Sequence, residues 1–421
     1  MEDKVFSPEL LELAEEADQA LRPIFRNVDD IAFYNTSKVL RAFREHRVDA
    51  TMFDGTSGYG YDDKGRDTLE RIWADVMGTE SALVRHNIVS GTHALTIGLF
   101  GLLRPGDTLL AVTGKPYDTL DGIIGINGIG AGQGTLADYG IKYSEVQLPI
   151  VNGKVDGDRW YDDITAALKA DKSIKVVFLQ RSKGYCDRPT LSAAEISGVT
   201  ALVRGISDAF VMVDNCYGEF TEKHEPVCDL MAGSLIKNPG GGMAESGGYF
   251  AGTQKAVELV SYRLTAPGIG AECGASLGQN KNLIKGLFYA PHSTAQAIKT
   301  MHFAAYMLEQ LGYETSPRWD EERYDIIQTI RLGSAEKLCA FCQGIQAGSP
   351  VDAYVTPEPW AMPGYQDEVI MAAGTFTQGA SLELSADGPV REPFIVYMQG
   401  GLTYESGRYG VLTALEKMKS M

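Results

Sequence analysis

The sequence predicts an α/β protein: a large domain on a mainly parallel sheet covered by helices on both faces, followed by a smaller α+β domain. Three observations carry this. Between about residues 80 and 270, apolar strand-like runs alternate with helical ones, the pattern that lays parallel strands side by side under crossover helices. At 421 residues the chain exceeds what one simple core organises. Its 44% hydrophobic and 22% charged residues are those of an ordinary folded protein.

Taken in order, residues 7–22 and 29–47 read as two amphipathic helices, the second opening on the acidic pair Asp29-Asp30. The glycine-rich loop DGTSGYGYDDKGRD leads into a helix near 66–78. The segments LRPGDTLLAVTG, IKYSEVQLP, IKVVFLQRS, DAFVMVDN and GGYFAG read as strands, and HALTIGLFGLL and LSAAEISGVTALVRG as helices. A long helical stretch from about 276 to 310 leads to the second domain. That domain is expected to hold a helix near 334–346, strands near 368–374, 379–384 and 393–399, and a final helix from about 403. VTPEPWAMPGY, with Pro357, Pro359 and Pro363, reads as an ordered loop. The expected boundaries are 1–60 for N-terminal helices and an interface loop, 61–290 for the large domain and 291–421 for the C-terminal one.

The net charge of −17 argues against a nucleic-acid or anionic-membrane partner. MEDKVFSPELLELAEEADQ has neither the basic start nor the apolar block of a secretion signal, and no apolar stretch approaches membrane-spanning length. A soluble, cytoplasmic protein is expected. Six cysteines in so long a chain do not form a disulfide scaffold. Cys339 and Cys342 make a C-x-x-C, but within a helical apolar pattern and with no completing ligands, so no metal is expected.

The chemistry is expected at strand ends, where ligands bind in open α/β sheets. The run AFVMVDN ends in Asp214. Downstream, GSLIKNPGGG holds Lys237 in a Gly/Ser/Pro turn between strand-like segments. Asn238-Pro239 and the three glycines fix its direction and allow close approach to the backbone. A lysine amine and a carboxylate are the two groups that pyridoxal 5′-phosphate requires: one for the Schiff base and one for the pyridinium nitrogen. Ser90, Gly91 and Thr92 precede an apolar helix, so their N–H groups and hydroxyls crowd its positive end as a phosphate cradle. An ordinary helix cap satisfies the same spacing. Ser234, three residues before Lys237, is placed by a turn to reach the same phosphate.

GASLG at 274–278 fits G-x-S-x-G but lacks the preceding strand of a nucleophile elbow. GINGIGAGQG never forms G-x-G-x-x-G. His93 on the phosphate helix serves equally as a packed histidine.

SGTHAL, VDNCYGEF and GSLIKNPGGG followed by GGY resemble the fold-type I pyridoxal-phosphate enzymes of cysteine and methionine metabolism. GYGYDDKGRDTLE, TGKPYDTL, RSKGY, SYRLTAPGIGAE, MPGYQDEVIMAAGTF and MQGGLTYE resemble in particular their methionine γ-lyase-like branch, also called aluminium resistance or cystathionine β-lyase-like proteins. The resemblance spans nearly the whole chain. It implies a PLP-dependent transferase-like fold with a seven-stranded, mainly parallel sheet. In its terms Lys237 carries the Schiff base and moves the Cα proton, Asp214 pairs with the pyridinium nitrogen, and Gly91, Thr92, Ser90 and Ser234 hold the phosphate. Tyr117 would stack on the ring and act as a general acid. Tyr59 and Tyr61 match a segment that reaches a neighbouring chain's phosphate, which implies a homodimer or homotetramer with shared active sites.

The departures are Ile236, where the wider family has threonine before its lysine, and Tyr61, where it often has arginine. Arg66 and Arg263 are the candidates to replace the lost phosphate contacts. For the substrate carboxylate, Arg391 is the first candidate and Arg181 the second, with Tyr185 of RSKGY as a further substrate contact; a buried arginine serves a structural ion pair equally well. The expected function is β- or γ-elimination on a sulfur-containing or γ-substituted amino acid. The alternatives are a γ-replacement synthase or transferase, elimination of a halogenated or acylated amino acid in biosynthesis, and a cofactor-binding stress or regulatory protein with little turnover.

Overall fold

A computed structural model describes residues 6–362 and 367–420. Pro363 and the PGYQ part of MPGYQDEV lie outside the described residues, as does the start of the acidic N-terminus.

The N-terminal segment corrects the first expectation. Helix α1 (Pro8–Glu45) is one continuous helix rather than two. Pro23 removes a backbone donor without ending it, because the buried stripe runs through: Ala14, Leu21, Val28, Asn35 and Ala42 recur every seven residues. Asn35 is the polar member of that stripe, and its Nδ2 donates to the carbonyls of Phe220 at 3.3 Å and Glu222 at 2.9 Å. Next comes α2 (Lys64–Met77), capped by Asp63, which accepts from the Arg66 N–H at 3.0 Å.

The large sheet is then laid down: β1 (Ser81–Arg85), α3 (Gly91–Leu102), β2 (Thr108–Ala111), α4 (Thr119–Ile124), β3 (Lys142–Glu145), and a small hairpin of β4 (Ile150–Val151) and β5 (Lys154–Val155). After these come α5 (Gly157–Ala170), β6 (Ile174–Gln180), α6 (Ala193–Ile206), β7 (Phe210–Asp214), β8 (Leu230–Ser234), β9 (Gly248–Gly252) and α7 (Gln254–Leu264). The seven strands follow the order β1-β9-β8-β7-β6-β2-β3. β8, β7, β6, β2 and β3 are parallel, while β9 is antiparallel to both β8 and β1. One face is covered by a core around Trp73, Trp160, Ile196 and Leu287, the other by one around Leu95, Leu99 and Val260. Both faces are thus dry, and the open positions are the strand ends.

Helix α8 (Asn280–Gln310) leads into a second sheet, antiparallel and ordered β10-β11-β14-β13-β12. Its parts are β10 (Glu314–Ser316), β11 (Ile327–Arg331), α9 (Ala335–Ala347), β12 (Val369–Ala372), β13 (Ser385–Pro389), β14 (Ile395–Gln399) and α10 (Tyr404–Lys419). The strand expected at 379–384 lies instead at 385–389. Its sequence, SADGP, is rich in residues that strands disfavour. Gly388 is nevertheless required there, because a Cβ on it would stand 2.6 Å from the Ile395 carbonyl oxygen. The first half of α1 packs into this second layer through Leu10, Ala14, Ala17 and Leu21.

Candidate active site

β7 and β8 end side by side, and the site is built on the loops that follow them. Asp214 is the last residue of β7, in register with Gln180 of β6 and Ala232 of β8. Its Oδ1 accepts the Cys216 N–H at 3.1 Å, which turns the chain sharply. Burial raises the pKa of this carboxyl, against the pull of nearby Lys237.

Lys237 follows β8 after two residues and is not a surface lysine. Its loop is pinned from two sides. Asn238 Nδ2 donates to the carbonyls of Tyr217 at 2.9 Å and Glu219 at 3.0 Å. The glycine run lies flat on α8, where a Cβ on Gly241 would meet the Gly286 carbonyl oxygen at 2.2 Å. The Lys237 Nζ sits 4.0 Å from the centroid of the Tyr217 ring. Tyr217 has a left-handed backbone (φ 74°), a conformation that non-glycine residues hold only where their surroundings enforce it. Burial works against the Lys237 charge, but the acidic groups around it, Cys216, Tyr217, Asp214 and Glu219, outweigh that and hold its pKa above the ordinary lysine value.

Opposite the lysine stands the start of α3. Gly91 is its first residue, and a Cβ there would lie 3.3 Å from Cys216 Sγ, 3.6 Å from Ser234 Cβ and 3.9 Å from Lys237 Nζ. The missing side chain leaves a small cradle between the lysine and the helix N-terminus. Ser234 is buried at its edge, with Oγ accepting the Ile236 N–H at 3.3 Å. Thr92 Oγ1 is 3.1 Å from Thr119 Oγ1. Ser90 is the helix cap: its Oγ accepts the His93 N–H at 3.0 Å, so the capping alternative describes its side chain.

Thr92, Thr119, Asp214, Cys216, Tyr217 and Lys237 line a cavity of about 270 Å³ together with residues from the second sheet. Tyr117 lines it, its N–H donating to Gln180 Oε1 at 2.7 Å. On the far wall the Tyr185 hydroxyl donates to Asp387 Oδ1 at 2.7 Å, and Gln399 Nε2 donates to Asp387 Oδ2 at 3.3 Å. Burial pushes the Asp387 carboxyl up to about 6. Sequence reasoning missed Gln180, Thr119, Asp387 and Gln399. Asp387 carried no signal, because its strand was expected elsewhere.

The profile of the methionine gamma-lyase family matches residues 10–419. The chain belongs to the methionine gamma-lyase family. It is 50% identical over 423 residues to the uncharacterized protein YnbB of Bacillus subtilis (strain 168), covering 99% of both chains. The solved carbon-sulfur lyase involved in aluminum resistance from Clostridium novyi NT matches with a TM-score of 0.92 and 47% identity, over 98% of this chain and 96% of that one. The pyridoxal-5′-phosphate dependent protein YhfS of Escherichia coli shares the fold alone, with a TM-score of 0.59 and 14% identity over 94% of this chain and 97% of that one. The fold is fold type I of the pyridoxal-phosphate enzymes, with its mostly parallel central sheet and separate C-terminal antiparallel sheet.

Within this methionine gamma-lyase family fold, several expected residues stand elsewhere. Arg181 does not line the cavity. It is fully buried behind it, paired with Glu222 at 2.6 Å and Glu225 at 3.1 Å and bonded to Asn215 Oδ1 at 2.8 Å. The structural ion pair is therefore its role, because two carboxylates already saturate the guanidinium. Arg391 lies at the rim of a wider antechamber of about 600 Å³ that shares Tyr117, Gln180 and Tyr185 with the inner cavity. There its Nη1 donates to Asp367 Oδ2 at 2.6 Å.

Neither substitute phosphate arginine is in the cavity. Arg66 Nη1 donates to the carbonyls of Gly60 at 2.6 Å and Gly274 at 2.7 Å, and Arg263 lies 5.0 Å from the Phe100 ring centroid. Tyr59 and Tyr61 are exposed and stacked, with ring centroids 5.6 Å apart, on a loop held from beneath by Arg66 and by Asp63 with Thr56, Ser276 and Asn280. They lie outside this chain's own cavity. The serine of GASLG serves in that clamp.

Behind Lys237 runs a buried relay. Asn215 Nδ2 donates to Glu225 at 3.0 Å and stands 3.3 Å from the Tyr249 hydroxyl, which donates to Glu219 Oε1 at 2.9 Å. Burial pushes Glu219 up to about 8, well above the ordinary glutamate value.

Proposed function

We propose that this chain is a pyridoxal 5′-phosphate-dependent carbon–sulfur lyase that eliminates a group from Cβ or Cγ of an amino acid. The observation that carries the reading is the cradle at Gly91, where Lys237, Ser234 and the start of α3 converge, with Lys237, Thr92 and Asp214 also lining one cavity. The donor set fits the cofactor: N–H groups and hydroxyls for a phosphate, an amine for an aldehyde and a carboxylate for a ring nitrogen. When bound, the cofactor supplies that aldehyde and a ring that accepts the electron pair of a broken Cα bond.

The chain's own residues do the rest. The α3 N-terminus, Thr92 and Ser234 bind the phosphate. Asp214 holds a proton at the ring nitrogen, favoured by a buried setting in which its charge is not dispersed by water. Lys237, once its amine is released, takes the proton from Cα and is positioned to return it. Tyr117, on the same cavity wall, would stack on the cofactor's ring and offer its hydroxyl to the leaving group. The second sheet closes the far side against water.

The six free cysteines fit a reducing compartment, and we place the protein in the cytoplasm. We also propose a homodimer or homotetramer in which Tyr59 and Tyr61 reach a second copy's site. Two exposed aromatic rings on a loop clamped by buried groups support this reading.

Borohydride reduction followed by peptide mapping tests the cofactor. A pyridoxyl group on the Lys237 peptide, with a visible absorbance band lost in Lys237→Ala, is expected; an unmodified Lys237 refutes the proposal. Release of 2-oxo acid from cystathionine, cysteine, methionine and γ-substituted homologues then identifies the bond broken. No turnover across the panel would favour the binding-protein reading.

A further inference from the structure

The far wall of the inner cavity has the wrong sign for an amino acid's carboxylate. Among the described residues lining it, Lys237 is the one cationic side chain, and Asp387 faces the space from the second sheet. The nearby arginines are turned away. Arg181 is held by Glu222 and Glu225, and Arg188 Nη2 donates to the carbonyls of Gln180 and Ser182 at 2.8 Å and 2.5 Å. The basic groups Lys115, Lys183 and Arg391 belong to the antechamber.

Around Asp387 the wall is aromatic. The Tyr185 and Tyr397 centroids are 4.8 Å apart, and those of Tyr117 and Tyr185 are 5.8 Å apart. Asp387 and Tyr397 are direct neighbours across β13 and β14. The Tyr185 hydroxyl donates to Asp387, which ties the aromatic wall to the carboxylate. A carboxylate flanked by aromatic faces is the chemistry that recognises a cation.

We propose that the Asp387, Tyr185 and Tyr397 wall is a specificity subsite for a positively charged group, an ammonium or a sulfonium, on the substrate's side chain. The inference rests on the lyase reading above and names its substrate class: an amino acid cationic at both ends. The α-carboxylate of such a substrate is directed away from Asp387, towards the antechamber's basic groups.

Calorimetry on the holoprotein tests this with four probes: S-methylmethionine and ornithine as cations, methionine and norleucine as their neutral counterparts. At least one cation is expected to bind about tenfold tighter than its neutral counterpart, the scale of a desolvated cation–aromatic contact with a carboxylate. Which one distinguishes sulfonium from ammonium. In Asp387→Asn the preference should fall to within about threefold while methionine binding is retained. Equal binding of cationic and neutral probes by the wild-type protein overturns the proposal without any variant, as does a preference that survives Asp387→Asn. The visible band of the same preparation is read separately. Its absence counts against the cofactor, whereas its presence with no cation preference counts against this subsite alone.

Discussion

A β-carbon placed on Gly91 would stand 3.9 Å from the Lys237 Nζ and 3.3 Å from Cys216 Sγ, so the helix N-terminus meets the lysine across a gap one side chain wide. Gly91→Ala begins to fill that gap and Gly91→Val fills it. Overpacking of this kind costs about 1–3 kcal/mol. The expected result is cofactor affinity weakened by roughly tenfold or more, in the order Val beyond Ala, with an unchanged far-UV circular dichroism spectrum. Fluorescence titration of apoprotein with pyridoxal phosphate measures it. Unaltered affinity in the valine variant would remove the cradle from the phosphate's path.

Asp214→Asn keeps the shape of the β7 terminus and removes the charge. Turnover should fall by roughly two or more powers of ten, in line with the loss of one electrostatic group in a water-poor site. Because burial disfavours the Asp214 charge, the apoprotein should be no less stable than wild type. Single-turnover kinetics and thermal unfolding measure the two effects independently.

Glu219 gives a pH signature. Its folded pKa of about 8 lies above the ordinary 4.5, so the native state binds the extra proton between those values. Its burden on stability is absent below the lower value, grows as pH rises, and is complete above the upper one. Glu219→Gln, which keeps an acceptor for the Tyr249 hydroxyl, should stabilise the protein by a few kcal/mol, as an order of magnitude, at pH 9 and by almost nothing near pH 4. Urea unfolding at several pH values checks this. A stability gain that does not vary with pH would contradict it.

Arg181 and Arg391 should separate cleanly. Arg181→Met leaves Glu222 and Glu225 without their cation, and breaking a buried pair costs about 3–5 kcal/mol. Its effect should appear in the melting temperature. Arg391→Ala breaks an exposed pair with Asp367, worth at most about 1 kcal/mol. Its effect should appear in KM, through the antechamber, and hardly in stability.

What was legible in the sequence follows from locality. Lys237, Asp214, Ser234 and Gly91 announce themselves because each sits at an abrupt junction of strand, turn or helix, and a polar group at such a junction needs a local explanation. Asp387, Gln180 and Gln399 reach the cavity only through the pairing of distant strands, and no short window contains that information. Arg181 was half legible: a guanidinium at a strand end was visible, but not that Glu222 and Glu225, some forty residues on, fold back onto it. The single helix α1 hid behind Pro23, whose usual meaning is outweighed by a seven-residue stripe with a partner to pack on. β13 hid behind its own composition, because a tight backbone crossing at Gly388 demands residues that strands otherwise avoid.

Helix α8 has a mechanical consequence. Near its start it bears on the glycine run after Lys237, where Gly241 abuts the Gly286 carbonyl. Two-thirds of the way along, Thr300 fits against Gly401 and Gly407, beyond the end of the strand that carries Tyr397 and Gln399. Both contacts are too close to admit even a methyl group. The helix is therefore a strut between the lysine's loop and the far wall, and the span of the chamber is set by its length. A chamber of that span sorts molecules as a gauge does, by what fits between its jaws.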